Sequence, residues 1–232
     1  MSELHLKQIS EEQIEALLRL QEIVFMNLKQ KDQLSTLTKE EFKRILTGEG
    51  YMVGVFCKEQ LIAARALLKP RSEESEHLGL DAGLTKDQLN QVVYQEISLV
   101  HPEFRGNRLQ QRMGNWLMQN LVNEGSSYSF ICATVAPTNL ASLIDKFKQG
   151  LEVVALKEKY GGKLRFVFFK DLNDPSNFTV LEEKEVELTA LEEQRHLLQE
   201  GYRGNELKNE DGRRYRIRYQ LRSKNESGFN ML

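Results

Sequence analysis

Cysteine, tryptophan and proline are scarce in this sequence of 232 residues, and it has neither a long apolar run nor a strong charge of either sign. The two cysteines, Cys57 and Cys132, have no histidine or cysteine cluster near them. That excludes a disulfide framework and a thiolate zinc site, and leaves buried thiols in a reducing compartment as the expectation. No stretch approaches the ~20 apolar residues that a membrane-spanning helix needs. Met1 to Lys7 lacks a cationic segment followed by an apolar one, so no secretory signal is expected. The cytoplasm is the expected location, with no membrane partner and no metal. The formal net charge is −2, so no global field draws the molecule to nucleic acid, which is a disfavoured partner.

Several common sites are missing too. No Gly-x-Gly-x-x-Gly follows a strand-like run, and five residues before the Gly162-Lys163 pair stands Lys157 where a phosphate loop needs glycine. Neither His-Glu-x-x-His nor Gly-x-Ser-x-Gly occurs.

What is present is the composition of a water-soluble globule, 40% hydrophobic and 28% charged. Capping boxes at Ser10 to Gln13, Thr38 to Glu41, Thr85 to Gln88 and Thr189 to Glu192 predict helix starts. Strand-like runs cover Tyr51–Cys57 and Leu61–Leu68, joined by Lys58-Glu59-Gln60 as a hairpin. Residues 70–91 are polar and acidic, which predicts a surface excursion with one short helix. A strand over Val92–Val100 then leads to an amphipathic helix from about Arg108 to Glu124, closed by Gly125. A strand over Tyr128–Val135, a helix over Asn139–Gln149 closed by Gly150, and a hairpin around Gly161-Gly162 follow. All four prolines (Pro70, Pro102, Pro137, Pro175) fall in connections, as their missing amide donor requires. The expected fold class is mixed α/β, with one domain over residues 1–171. Residues 172–232 form an extension of strand, helix and basic hairpin turning at Asp211-Gly212, with a frayed tail from Ser223.

The stretch Ile97-Ser-Leu-Val-His-Pro-Glu-Phe-Arg-Gly-Asn-Arg-Leu-Gln-Gln-Arg-Met113 carries most of the chemical information. A strand running through a short Arg105-Gly106 loop into a helix aims backbone amides and the positive end of a helix dipole at one place. A pyrophosphate suits that place, and Arg105 and Arg108 add charge. An ordinary strand–helix turn with surface arginines fits the same pattern.

Val100-His-Pro-Glu-Phe-Arg-Gly-x-x-Leu109 resembles the central motif of the GNAT superfamily of acyl-CoA-dependent N-acetyltransferases, hydrophobic-x-Pro-x-Tyr-Arg-Gly-x-Gly-Ile/Leu-Gly. Asn139-Leu-Ala-Ser142, running to Gly150-Leu151, resembles the family's next motif, and the order of elements from Leu4 to Asp171 fits, about three-quarters of the chain. The resemblance implies a GNAT-like fold and an N-acyltransferase that moves an acetyl or short acyl group from acetyl-CoA directly to an amine, on a small molecule or a peptide. It implies donor binding by Ser98, Leu99, Val100, Arg105, Gly106, Asn107, Arg108, Leu109, Gln110, Asn139 and Ser142. The pantetheine would pair with the backbone near Ser98–Val100 like an added strand, and an amide near Leu99 would polarise the thioester carbonyl.

The pattern also departs from the family. Arg108 and Gln110 replace small residues of the loop. Lys146 stands where the family usually places the tyrosine that protonates the departing thiolate, so the acid is Lys146, solvent or another group such as Tyr160. Lysine is a poor acid unless its pKa is depressed, so Lys146→Ala is expected to slow turnover less than tenfold. Tyr94 and Glu96, two apart and so on one strand face, are candidates to orient the water that deprotonates the amine.

Other features have plainer readings beside functional ones. Arg213–Arg222 alternates, with Tyr215, Ile217, Tyr219 and Leu221 inward and Arg214, Arg216, Arg218 and Arg222 outward; a charged edge strand accounts for it, as does a surface for an acidic partner, RNA or the 3′-phosphate of coenzyme A. Tyr160 and Arg165, at the last hairpin of the domain, either pack or touch substrate. The acidic residues Glu73–Asp81 either face solvent or attract a cationic amine. A binding module that holds acyl-CoA without turnover is the alternative to an enzyme, and the sequence leaves the acceptor, the acyl length and assembly, a homodimer included, open.

Overall fold

The computed structural model describes residues 3–123, 128–173, 178–209 and 212–224. Gly125, Pro175, Asp211 and the tail beyond Lys224, to which the sequence assigned a helix stop, a connection, a turn and a frayed end, lie outside the described residues.

The chain opens with β1 (Leu4–Gln8), α1 (Ile14–Met26) and α2 (Lys39–Arg44), then the hairpin β2 (Gly50–Cys57) and β3 (Gln60–Leu68). A short α3 (Leu78–Asp81) precedes β4 (Val92–Val100), α4 (Leu109–Asn123), β5 (Phe130–Val135), α5 (Leu140–Lys148), β6 (Glu152–Lys159) and β7 (Lys163–Asp171). The extension supplies β8 (Phe178–Glu187), α6 (Leu191–Gln199), β9 (Arg203–Asn209) and β10 (Tyr215–Lys224). All ten strands join one mixed sheet in the order β1-β2-β3-β4-β5-β7-β6-β9-β10-β8. The class is α/β, as the sequence predicts.

Local chemistry explains most boundaries. The Thr38 hydroxyl accepts the Glu41 N–H at 3.2 Å while the Glu41 carboxylate accepts the Thr38 N–H at 2.7 Å, a full capping box that opens α2. The boxes at Ser10 and Thr85 open 3₁₀ turns, the first running into α1. The box expected at Thr189 does not form: α6 starts from Ala190, and the buried Gln194 amide donates to the Glu187 and Leu188 carbonyls instead, both at 3.0 Å. Lys58 and Glu59 both take the left-handed conformation, the two-residue turn whose twist suits a tight hairpin.

Two faces of the sheet are filled differently. One packs Leu109, Met113, Leu117 and Leu121 of α4 and Leu143 of α5 onto Val53, Val93, Ile131 and Phe168. The other has α1 and α2 over Met52, Ala64, Ala66, Ile97 and Leu99. Beside them the 70–91 excursion lays Leu78 over Val92, Tyr94, Phe130 and Val167. This excursion is therefore not only a surface loop: His77, Leu78 and Leu89 are buried, and Leu78 donates its N–H to the Tyr94 hydroxyl at 2.7 Å.

Within the sheet the extension joins the rest at one ladder pair, Val153↔Gly204, and its Leu197, Tyr202, Ile217 and Tyr219 continue the same core. A Cβ at Gly204 would stand 2.9 Å from Ile217 and 3.1 Å from the Tyr219 ring, so only glycine allows this approach. The basic strand β10 is not an edge, as one reading of the sequence had it. It lies between β9 and β8, with Ile217 and Tyr219 fully buried. Its arginines face carboxylates: Arg218 with Glu206 of β9 at 2.9 Å, Arg216 with Glu187 of β8 at 3.7 Å, and Arg222 with Glu152 of β6 at 2.6 Å.

Candidate functional site

The parallel strands β4 and β5 pair only at Val92↔Phe130, Val93↔Ile131 and Tyr94↔Cys132. Past that point a bulge interrupts β4, because Ala66 of β3 faces Ile97 while Leu67 faces Gln95, leaving Glu96 without a partner. The bulge shifts the side-chain period by one. Val92 and Tyr94 share a sheet face with Ile97 and Leu99, and not with Ser98. The carboxyl ends of the two strands then part, the place where open α/β sheets bind ligands.

Two adjoining cavities occupy the gap, with Gln33, Leu34, Ser98, Asn139 and Ser142 lining both. The larger, about 490 Å³, lies under the Arg105–Gln110 loop. The smaller, about 340 Å³, is walled by Glu41, Glu96, Thr134, Lys146, Tyr160, Lys163 and Arg165.

The larger cavity is bounded by backbone. A 3₁₀ turn over Pro102–Phe104 brings the chain to Gly106 at φ 84° and Arg108 at φ 54°, and α4 begins at Leu109. The first bond into α4 runs from the Arg112 N–H to the Arg108 carbonyl; among the described residues the amides of Gly106 through Gln111 find no acceptor. Six free donors at the start of a fifteen-residue helix form an anion cradle. A Cβ at Gly106 would meet nothing within 4 Å, so the side of this glycine is open to a ligand. Arg108 holds a left-handed conformation that costs an L-residue roughly 1–2 kcal/mol. The cradle fits a pyrophosphate. Leu99 is buried and lines neither cavity, whereas Ser98, Val100, Gln110 and the buried Leu109 line the larger one, with the Gln110 amide donating to Ser98 Oγ at 3.3 Å. The Asn107 amide turns back to the Phe104 carbonyl at 3.0 Å.

Asn139 caps α5, its side-chain oxygen accepting the Ser142 N–H at 3.2 Å, and its amide donates to the Gln33 carbonyl at 3.2 Å. Gln33 returns a bond to the Thr138 carbonyl at 3.0 Å. Segment 33–37 is thereby tied over the gap as a wall of both cavities.

The smaller cavity is made of titratable side chains. Burial in its wall, then the negative charge of Glu41 and Glu74, pushes the Glu96 carboxyl up to about 7. Lys146 is 6% exposed; burial and the neighbouring Arg65 guanidinium bring its ammonium down to about 7 against the pull of Asp145 at 3.2 Å. Tyr160 is exposed at the cavity and shares a hydrogen bond with Thr134 Oγ1 at 3.1 Å. Tyr94 lines neither cavity. Its hydroxyl accepts the Leu78 N–H and burial raises its pKa above the ordinary phenol value, so of the two candidates Tyr94 and Glu96 only Glu96 lines a cavity.

Behind Lys146 lies a buried polar network that the sequence reading missed. Arg65, 1% exposed, meets Asp145 at 3.0 Å, the Gln95 side-chain oxygen at 2.7 Å and the Gln110 carbonyl at 2.9 Å. Gln149 closes the ring, accepting from Gln95 and donating to Asp145, both at 2.8 Å. The signal was available: an arginine inside the apolar run Leu61–Leu68 must have buried partners. Among the described residues no cluster of metal-ligating side chains occurs, and no helix is long and apolar enough to cross a membrane.

No protein-family model and no curated protein matches this sequence. Solved structures do match its shape. A GNAT-family acetyltransferase from Streptococcus pneumoniae superposes with a TM-score of 0.56 at 12% identity, over 74% of this chain and 100% of its own. The PaiA N-acetyltransferase from Thermoplasma acidophilum, in complex with coenzyme A, gives 0.52 at 11% identity over 73% and 99%. The ribosomal-protein-S18-alanine N-acetyltransferase from Escherichia coli gives 0.55 at 8% identity over 75% and 97%. About three-quarters of this chain thus has the fold of the GNAT N-acetyltransferases, a mixed sheet opened between two parallel strands.

Proposed function

We propose that the protein is an acyl-CoA-dependent N-acetyltransferase that transfers its acyl group directly to an amine. The observation that carries this is the junction of two unlike cavities at one strand gap: an anion cradle of six free amides beside a chamber holding Glu96 and Lys146. The amides of Gly106 to Gln111, with Arg105 and Arg108, would hold the pyrophosphate of the donor. The edge of β4 that β5 leaves unpaired, Ser98 to Val100, would hold its pantetheine arm.

Direct transfer needs one proton taken and one given. The acceptor nitrogen attacks the thioester carbon, a C–N bond forms and the C–S bond breaks. Glu96, ionised about half the time near neutrality, takes the proton the amine must lose. Lys146, protonated about half the time at the same pH, gives one to the departing sulfur. The low effect expected of Lys146→Ala rested on an ordinary lysine pKa, and burial beside Arg65 removes that premise. Tyr160, exposed and bonded to Thr134, is a wall of the acceptor chamber in this reading.

The test is acetyl-CoA binding followed by turnover. A donor bound only by the folded state raises the melting temperature by mass action, and an amine panel should release free thiol. No shift at millimolar acetyl-CoA would overturn the proposal.

A further inference from the structure

Arg165 is the unexplained charge of this molecule. It is 3% exposed, and its guanidinium donates to the Asp32 carbonyl at 2.5 Å, the Leu164 carbonyl at 2.9 Å and the Ser35 hydroxyl at 3.4 Å. None of these is a carboxylate. The other buried cations have one each: Arg65 and Lys146 share Asp145, and Lys159 meets Asp81 at 2.6 Å. Among the described residues no acid forms an ion pair with Arg165. A guanidinium stays charged at any working pH, and a buried charge without a countercharge is unfavourable unless something supplies one. Burial draws its pKa below the ordinary arginine value, against the weaker pull of the Asp32 carboxylate, which lies near without forming an ion pair.

Its position says what supplies the countercharge. Arg165 walls the smaller cavity together with the half-buried Lys163, while Glu96 and Glu41 stand in the same cavity on other elements. Glu41 is already committed to the Thr38 N–H, so Glu96 is the acid free to meet a ligand. The chamber therefore offers a ligand both a fixed cation, Arg165, and a free carboxyl, Glu96. A plain amine would satisfy only the Glu96 side. The three acceptors that hold Arg165 fix its planar fork in advance, so a ligand carboxylate loses little freedom in meeting it. A single negative charge matches one buried guanidinium better than a dianionic phosphate does. A volume of about 340 Å³ is at the small end of ligand sites.

We infer that the acceptor is a small amino acid or a related amine bearing a carboxylate, held by Arg165 through the carboxylate and presenting its nitrogen toward Glu96. This rests on the acyltransferase reading and narrows it to a substrate class.

The experiment compares matched acceptors that differ only in the acid group: β-alanine with β-alaninamide, 5-aminopentanoate with pentylamine, and free amino acids with their amides. Thiol release from acetyl-CoA should favour the acids at least tenfold in kcat/KM in the native chain. Arg165→Gln should bring the ratio of acid to amide toward one, and Arg165→Lys should restore part of it. A native ratio near one, or an Arg165→Gln variant that slows acid and amide in equal proportion, overturns the inference. A second arm needs no turnover: with the protein saturated in coenzyme A, acids should raise the melting temperature and amides should not. Equal shifts, or none from either, overturn it too. Failure of acetyl-CoA itself to bind would overturn the acyltransferase reading instead, so the two failures are distinguishable.

Discussion

The two halves of the strand gap are built from different material. The cradle at the start of α4 is backbone: six amides whose identity does not depend on the side chains that carry them. The chamber beyond β4 takes its chemistry from side chains: Glu96, Lys146, Arg165 and the residues that press on them. A backbone site tolerates substitution wherever conformation is kept, which is how Arg108 and Gln110 can stand where small residues are usual. A side-chain site changes with every atom.

That contrast can be broken by experiment, and the largest effect is expected in the chamber. Glu96→Gln should lower kcat by about 10²–10⁴, the usual worth of a positioned base, while acetyl-CoA affinity stays within about twofold. Retained turnover would move the base elsewhere. Lys146→Ala should follow, at about a hundredfold, with the fold intact because Asp145 keeps Arg65 as its partner.

The pH profile tests the same two groups together. Glu96 must be ionised, so activity falls as pH drops below about 7; Lys146 must be protonated, so activity falls as pH rises above about 7. The native chain should give a bell with its maximum near 7. Lys146→Ala should lose only the alkaline limb and Glu96→Gln the Glu96 contribution to the acid limb.

The cradle predicts a different signature. Gly106→Val forces a β-branched residue to φ 84° and places its side chain where the ligand approaches. Acetyl-CoA affinity should drop more than tenfold with a native circular-dichroism spectrum, and unchanged affinity would show that no phosphate lies there. Arg105→Ala, which keeps every amide, should weaken binding by a smaller factor. The smallest effect is expected far from both sites. Arg218→Ala removes a partly exposed ion pair with Glu206 and should cost roughly 0–1 kcal/mol of stability with no change in turnover.

The same contrast decides what the sequence discloses. The cradle is contiguous, so the run from Val100 to Gln110 announces it, and the strand–loop–helix order around it follows from hydrophobic period and proline placement. The chamber is assembled from distant segments: Arg65 meets Gln110 and Asp145, 45 and 80 residues away. No local pattern encodes such a network, and an alternation rule cannot foresee the bulge at Glu96. That single extra residue sits where β4 leaves β5. Arg165 was visible as a residue beside a hairpin, but that no acid among the described residues forms an ion pair with it shows only in three dimensions.

The extension has a consequence for how the molecule behaves among its own copies. In a sheet ending at β6, the unpaired amides and carbonyls of that strand would offer a template to any passing chain. Laying β9 against it at Gly204 moves the rim outward to β8, which presents exposed Glu182, Glu183, Glu185 and Glu187. The charged rim that alternation suggested for the arginine strand is this glutamate strand, and Arg216 and Arg218 face its Glu187 and Glu183. A chain cut before β8 would bare the β6 rim together with the apolar patch around Val153, and should self-associate at concentrations where the full chain stays dispersed.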